Sequence, residues 1–262
     1  MINFFSLSIG LPVYFLSIKA AHDSYTYKDG NETKYLELDL FPALSESSEI
    51  FETPSIAPID NLIPFKIIRN DIKQYFRKWF DIEENLESVV QLFFGVVRDR
   101  NLNLYRTFSS LMQSLEVYHR TKFPEKVQFE KTEYEELKQS IQDFVPLKYK
   151  DWVPKALEYS NEIFLRARIE DLIKTNSVIA KFFRNRDEVD SFIFKVTQTR
   201  HYTTHYNPQL KEQAVRGQKL FEINKRLDII MRIYLLSELG FDETQIESFL
   251  KSIMRYNELF KK

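Results

Sequence analysis

Apolar positions recur every three or four residues over most of this chain, and that period predicts a mainly α protein. From Asn70 onward the spacing is helical. Leu86, Val89, Val90, Phe93, Phe94 and Val97 form one apolar stripe, with Asp81 and Glu84 reading as a capping-box-like start ahead of it. Leu104, Phe108, Leu111, Leu115 and Tyr118 form a second, ending near His119-Arg120. Thr132 with Glu135 opens a third helix that stops before Pro146. Helical spacing resumes from Lys155 to Lys174, with a break near Ser160-Asn161. Asp187 to Tyr202 is predicted as a helix with Val189, Phe192, Ile193 and Val196 turned inward. Leu210 to Leu239 is predicted as one long helix stopped by Gly240, and a last helix follows Asp242.

The first 65 residues follow a different pattern. Residues 2 to 18 carry no charge, yet Asn3, Ser6, Ser8, Gly10, Pro12 and Ser17 make the stretch too polar and too short for a membrane span. It also lacks the basic lead and small-residue cleavage site of a secretory signal. The stretch reads as buried interior, unusual at a free N-terminus, and predicts that the chain begins partway into a longer protein. Tyr25 to Glu32 looks like a strand entering an Asp29-Gly30 turn, and Tyr35 to Leu40 alternates as a half-buried strand does. Pro42, Pro54, Pro58 and Pro64 break the connection that follows. The division predicted is a short extended or β-hairpin region at 1–65, the remnant of a larger sheet domain or a hairpin in its own right, and an α-helical domain at 66–262.

Composition narrows the chemistry. With 262 residues, 44% hydrophobic and only 5 glycines, the chain suits a compact helical protein with a sizeable core. Its net charge of −1, from 37 basic and 38 acidic residues, gives no broad footprint for duplex DNA, so a nucleic-acid contact must be a local patch. The absence of cysteine removes thiol catalysis, disulfides and Cys-ligated zinc, and fits a cytoplasmic setting.

The segment richest in chemistry is Thr199-Arg200-His201-Tyr202-Thr203-Thr204-His205-Tyr206-Asn207-Pro208, which holds two of the chain's four histidines. RNA carries its own nucleophile, the 2′-hydroxyl, so its cleavage needs a base, a cation and a grip on the phosphate. Arginine offers a planar fork matched to phosphate oxygens, and histidine titrates near neutral pH. Residues five apart on a straight helix lie roughly 140° from one another. Pro208 disfavours helical geometry at Asn207. The helix is therefore predicted to fray between Tyr202 and Tyr206, so that the His205 imidazole folds back beside the Arg200 guanidinium. The competing reading is structural: a cation and a histidine at a helix C-terminus also complement its macrodipole.

These residues resemble the HEPN ribonucleases, in particular their ApeA-like anti-phage branch. That signature is Arg, a polar residue, about three more residues, then His. Arg200 to His205 matches it, with His201 in the polar position where asparagine is commoner. Leu115-Glu116-Val117-Tyr118-His119-Arg120 is similar to the family's signature on the first HEPN helix, and Phe5 to Val13 to the segment that joins its N-terminal sheet domain to the helices. Full-length relatives carry a sheet domain that would precede Met1, and that domain or the N-terminal region is a natural place for sensing or inhibition.

The resemblance implies a HEPN-type helical bundle acting as a homodimer on RNA, a metal-independent endoribonuclease with no cofactor and no membrane association. Arg200 and His205 would be catalytic, His205 moving the proton and Arg200 steadying the charge on phosphorus, with His201 orienting Arg200 or holding a neighbouring phosphate. Glu116 would orient Arg200 through a bidentate ion pair or serve as a structural carboxylate. His119 reads as a helix-end cap. Lys181, Arg184 and Arg186 form an RNA-binding patch near the motif, with Phe182 and Phe183 for stacking, or else a solvated face over two core aromatics. The alternative is a non-catalytic helical module that binds RNA or nucleotides, or dimerises.

Overall fold

The computed structural model describes residues 1–14, 17–40, 61–99, 101–206, 208–253 and 256. Pro42, Pro54, Pro58 and Asn207 lie outside the described residues. Twelve helices and two small strand pairs make up the described chain, a mainly α fold with short N-terminal strands.

Four helices build the centre: α4 (Glu87–Arg98), α5 (Leu104–Lys122), α10 (Arg186–His205) and α11 (Gly217–Glu238). Helix α5 is the hub, packing on α4, α11, α10 and on α8 (Leu165–Thr175). Its predicted stripe supplies Phe108, Leu111, Leu115 and Tyr118, all buried. Along α11, Ile229 to Leu236 are buried without a gap, so that stretch is enclosed on every side. Caps set the helix starts. The Asn103 side chain accepts from the Arg106 amide at 3.0 Å, Asn185 from Glu188 at 2.9 Å, and Asp242 with Gln245 closes a reciprocal capping box on α12 (Glu243–Ser252).

Several expected boundaries move. Asp81 and Glu84 do not start a helix; they lie inside α3 (Ile72–Asn85), and only Leu86 separates α3 from α4. The third helix, α6 (Lys131–Phe144), is capped at Glu130 rather than Thr132, and ends before Pro146 as its sequence predicts. Spacing across Lys155–Lys174 resolves into α7 (Val153–Ala156), a bridge between Val127 and Glu162, and α8. Helix α9 (Ser177–Ala180) then leads to α10. The predicted long helix from Leu210 begins only at Gly217, because Ala214 and Val215 are buried in a loop that the Thr199 hydroxyl holds, accepting from the Val215 amide at 3.0 Å.

Ile2–Ile9 forms helix α1 instead of extended chain. Burial of Phe4 and Leu7, with Phe4 edge-on to Phe76 and Trp79, agrees with interior character for this uncharged stretch. Short helix α2 (Phe65–Ile68) follows Pro64. Strands β2 (Thr26–Asp29) and β3 (Glu32–Tyr35) pair antiparallel around Gly30, whose φ of 62° needs a glycine. Strands β1 (Ile18–Ala20) and β4 (Leu38–Leu40) form a second antiparallel pair. The Tyr35–Leu40 alternation is not a half-buried strand: Leu36 and Leu38 are exposed, and the ribbon breaks between β3 and β4.

Candidate functional site

The predicted fraying does not occur. Helix α10 runs unbroken through His205, because the restriction from Pro208 acts on its immediate neighbour only. Tyr206 ends the helix in the left-handed conformation, φ 49°, its amide donating to the Tyr202 carbonyl at 2.8 Å. A bulky residue rarely adopts that conformation, and the strain sits one residue beyond His205.

A straight helix sorts the motif into two faces. Arg200 and Thr204, four apart, share one; the Arg200 Nη1 donates to the Thr204 hydroxyl. From α5, Glu116 Oε1 accepts the Arg200 Nε–H at 2.9 Å. This contact is single rather than bidentate, and both side chains are about three-quarters covered. Among the described residues Nη2 has no partner, so the outer edge of the guanidinium keeps free donors. His201 and His205 share the other face, their exposed rings 6.4 Å apart and 23° from parallel. His201 thus stands beside His205, not against Arg200, and the His205 imidazole does not fold back on the guanidinium of its own chain. On the loop side, Arg216 lies over the Tyr202 ring at 5.9 Å, adding a cation that the sequence reading missed. Thr204 was missed too, although its i+4 spacing from Arg200 is the signal that points to it.

His119, three residues from Glu116, belongs elsewhere. It is wholly buried and is no helix-end cap. Its Nε2 lies 2.9 Å from Asp171 Oδ2, and its Nδ1 lies 3.3 Å from Arg168 Nη1. Since the guanidinium can only donate, Nδ1 accepts and Nε2–H donates to Asp171. That network assigns the neutral tautomer, and burial keeps the His119 pKa below its ordinary value despite Asp171. Arg168 continues to Glu162 at 2.7 Å, which also takes Arg120 at 2.8 Å.

The run Lys181, Arg184, Arg186 lies at the opposite end of α10 from the motif. Fourteen residues of helix, roughly 21 Å, separate Arg186 from Arg200. Lys181 pairs with Glu247, Arg184 with Glu188 at 3.3 Å, and Arg186 with Glu170 and with Asp190 at 3.1 Å. Lys174 and Arg186 hold the Glu170 carboxyl down to about 2. Phe182 and Phe183 are buried, leaving no stacking surface. These residues therefore follow the second expectation, a salt-bridged face over core aromatics, and do not adjoin the motif.

Among the described residues no helix is long and apolar enough to cross a membrane. Residues 109–245, just over half of the chain, match the family model described as Apea-like HEPN, a span that holds Glu116, Arg200 and His205. Comparison with curated proteins and with solved structures finds no match.

Proposed function

The chain belongs to the Apea-like HEPN family, and on that premise we propose that it is a metal-independent endoribonuclease that cuts RNA in anti-phage defence, with catalysis in the 66–262 unit. One observation carries the reading: Glu116 anchors the inner edge of Arg200 while the outer edge keeps unpaired donors, at the helix end where His205 is exposed. In the reaction, the 2′-hydroxyl attacks the adjacent phosphorus, a histidine takes its proton, and the 5′-oxygen leaves with a proton from a second acid. His205 serves as that base or acid, and Arg200 offsets the charge that grows on the equatorial oxygens.

Within one protomer, the roughly 140° between positions 200 and 205 keeps the two groups from one phosphate. A homodimer with its α10 ends facing across a two-fold axis brings Arg200 of each chain to His205 of the partner subunit. The same separation favours the alternative, a non-catalytic RNA-binding or dimerisation module.

The test uses RNA in EDTA with wild type, Arg200→Ala, His205→Ala, and the two variants mixed and allowed to exchange subunits. Wild type is expected to cleave, each variant alone to fail, and the mixture to recover part of the activity, because mixed dimers retain one intact composite site. No cleavage by wild type leaves the binding module standing, and a dead mixture with an active wild type refutes the composite site.

A further inference from the structure

The loop that follows the motif carries the unpaired positive charge that the salt-bridged 181–186 run lacks. Between Thr199 and Lys219 stand four cations, Arg200, Lys211, Arg216 and Lys219, against one acid, Glu212. The carboxylate that reaches this segment from α5, Glu116, is engaged by Arg200. Lys211 and Arg216 are exposed and form no ion pair among the described residues. In a chain of net charge −1 this is a local basic patch, the kind of surface that phosphates select.

The fold holds that loop against the end of α10. Thr199 accepts from the Val215 amide at 3.0 Å, and Arg216 Nη2 donates to the Lys211 carbonyl at 2.7 Å. The Arg216 guanidinium lies 5.9 Å from the centre of the Tyr202 ring, and that ring lies 6.1 Å from the Tyr206 ring at an interplanar angle of 59°. Arg216, Tyr202 and Tyr206 are thus neighbours in series, and the last reaches the surface: Tyr206 is 75% exposed, directly after His205. Among the described residues Tyr206 is also the only non-glycine with a positive φ. Glycine or asparagine would end a helix in this conformation with less strain. The strain therefore does not serve the helix end, and what it presents to solvent is a flat aromatic face.

We infer that this end of α10 binds single-stranded RNA, with an unpaired base stacked on the Tyr206 ring and the flanking phosphates on Arg216 and Lys211. Bases within a duplex stack on one another and offer no face to a side chain, so the ring selects an unpaired nucleotide. Because Tyr206 adjoins His205, that nucleotide lies beside the bond to be cut. The inference rests on the ribonuclease reading for its choice of partner, and adds to it a requirement for unpaired RNA at the site.

Binding is measured on the full chain with short RNA strands whose 2′-hydroxyls are all methylated, which removes the nucleophile and separates binding from cleavage. The set of strands places a fluorescent purine, whose emission falls on stacking, at each position in turn. Wild type is expected to bind the single strands and quench at least one, and to bind the matching duplex at least tenfold more weakly. Tyr206→Asn, which suits the left-handed conformation, should bind at least fivefold more weakly without quenching, and Tyr206→Phe should keep both. Lys211→Ala and Arg216→Ala should each lower the slope of log affinity against log salt by about 0.7. No quenching by wild type, or a Tyr206→Asn protein that quenches as wild type does, overturns the inference even if unmethylated RNA is cut. Equal affinity for strand and duplex, or salt slopes unchanged in both cation variants, overturns it as well. Quenching by a wild type that cuts no unmethylated RNA upholds the binding site and removes the ribonuclease reading instead.

Discussion

Helix α5 carries two acid–base clusters three residues apart, and they come to opposite ends. At His119, every polar edge of the imidazole is spent: Asp171 on one nitrogen, Arg168 on the other, no solvent. At Arg200, Glu116 and Thr204 occupy part of the guanidinium and the remainder has no partner among the described residues, while two exposed imidazoles share another face of the same helix end. The residue types are nearly the same. What differs is unspent hydrogen-bonding capacity, and a group can act on a substrate only with bonds that the fold has not already used.

Exchanging the roles of the two histidines gives the largest effect. His205→Ala should lower RNA cleavage by about 10²- to 10⁴-fold, the usual contribution of a positioned acid or base, with the unfolding midpoint unchanged because the ring is exposed. His119→Ala should do the reverse. Removing it leaves Asp171 and Arg168 each short of a buried partner, at a cost of about 3 kcal/mol, while activity per folded molecule stays near wild type. Urea unfolding and single-turnover cleavage on both variants check this. A His205→Ala protein that unfolds early, or a folded His119→Ala protein without activity, would break the contrast.

Glu116 touches Arg200 rather than substrate, so its effect is smaller. Glu116→Gln keeps the shape and loses the charge, and it should lower kcat about tenfold while KM stays within twofold, a loss of about 1.4 kcal/mol in the transition state. Combined with Arg200→Ala, it should add little, since both changes act through one guanidinium. Full additivity in the double variant would show that Glu116 acts independently.

How much of this was legible beforehand depended on distance along the chain. The stripes of α4, α5 and α10 recur within a few residues, and each lies on a helix, although the predicted start of α4 and end of α10 shift. The capping box of α12 is similarly local. Asp171 and Arg168 lie about fifty residues from His119, so nothing near position 119 reveals that the ring is enclosed. The start of α11 is not legible locally, because the bond that holds its loop comes from Thr199, sixteen residues away. At the motif, the residue types were readable and the geometry was not. Pro208 restricts only its immediate neighbour, so the helix stays straight and keeps Arg200 and His205 from the intramolecular pairing that the sequence predicts.

The buried cluster also predicts a pH response of stability. Burial lowers the His119 pKa in the folded state, so as pH falls below about 6.5 the unfolded chain takes up a proton that the folded chain refuses. Stability is full above that pH and declines below it, by no more than about 1.4 kcal/mol per pH unit, the slope of a single proton. Carboxylates held low, such as Glu170 at about 2, lose their contribution only below about pH 4.5. Denaturant midpoints between pH 7 and 5 should fall in wild type, and the fall should shrink in His119→Gln. An equal slope in both proteins would remove His119 as its source.

The smallest effect tests strain at the exposed end. Tyr206 sits at φ 49° with its ring in solvent, and left-handed geometry costs a side-chain-bearing residue about 1 to 2 kcal/mol. Tyr206→Gly removes that cost. Against it stand about 0.4 to 1 kcal/mol from the greater freedom of glycine in the unfolded chain, and about 0.5 kcal/mol for the ring contact with Tyr202. The balance should be slightly stabilising, by about 0.3 kcal/mol at the middle of these ranges. Because the helix end is then less firmly set, RNA cleavage should fall by a few-fold even as the denaturant midpoint rises. If the midpoint drops instead, Tyr206 contributes packing that its exposure does not suggest, and the strain at the end of α10 is structural rather than functional.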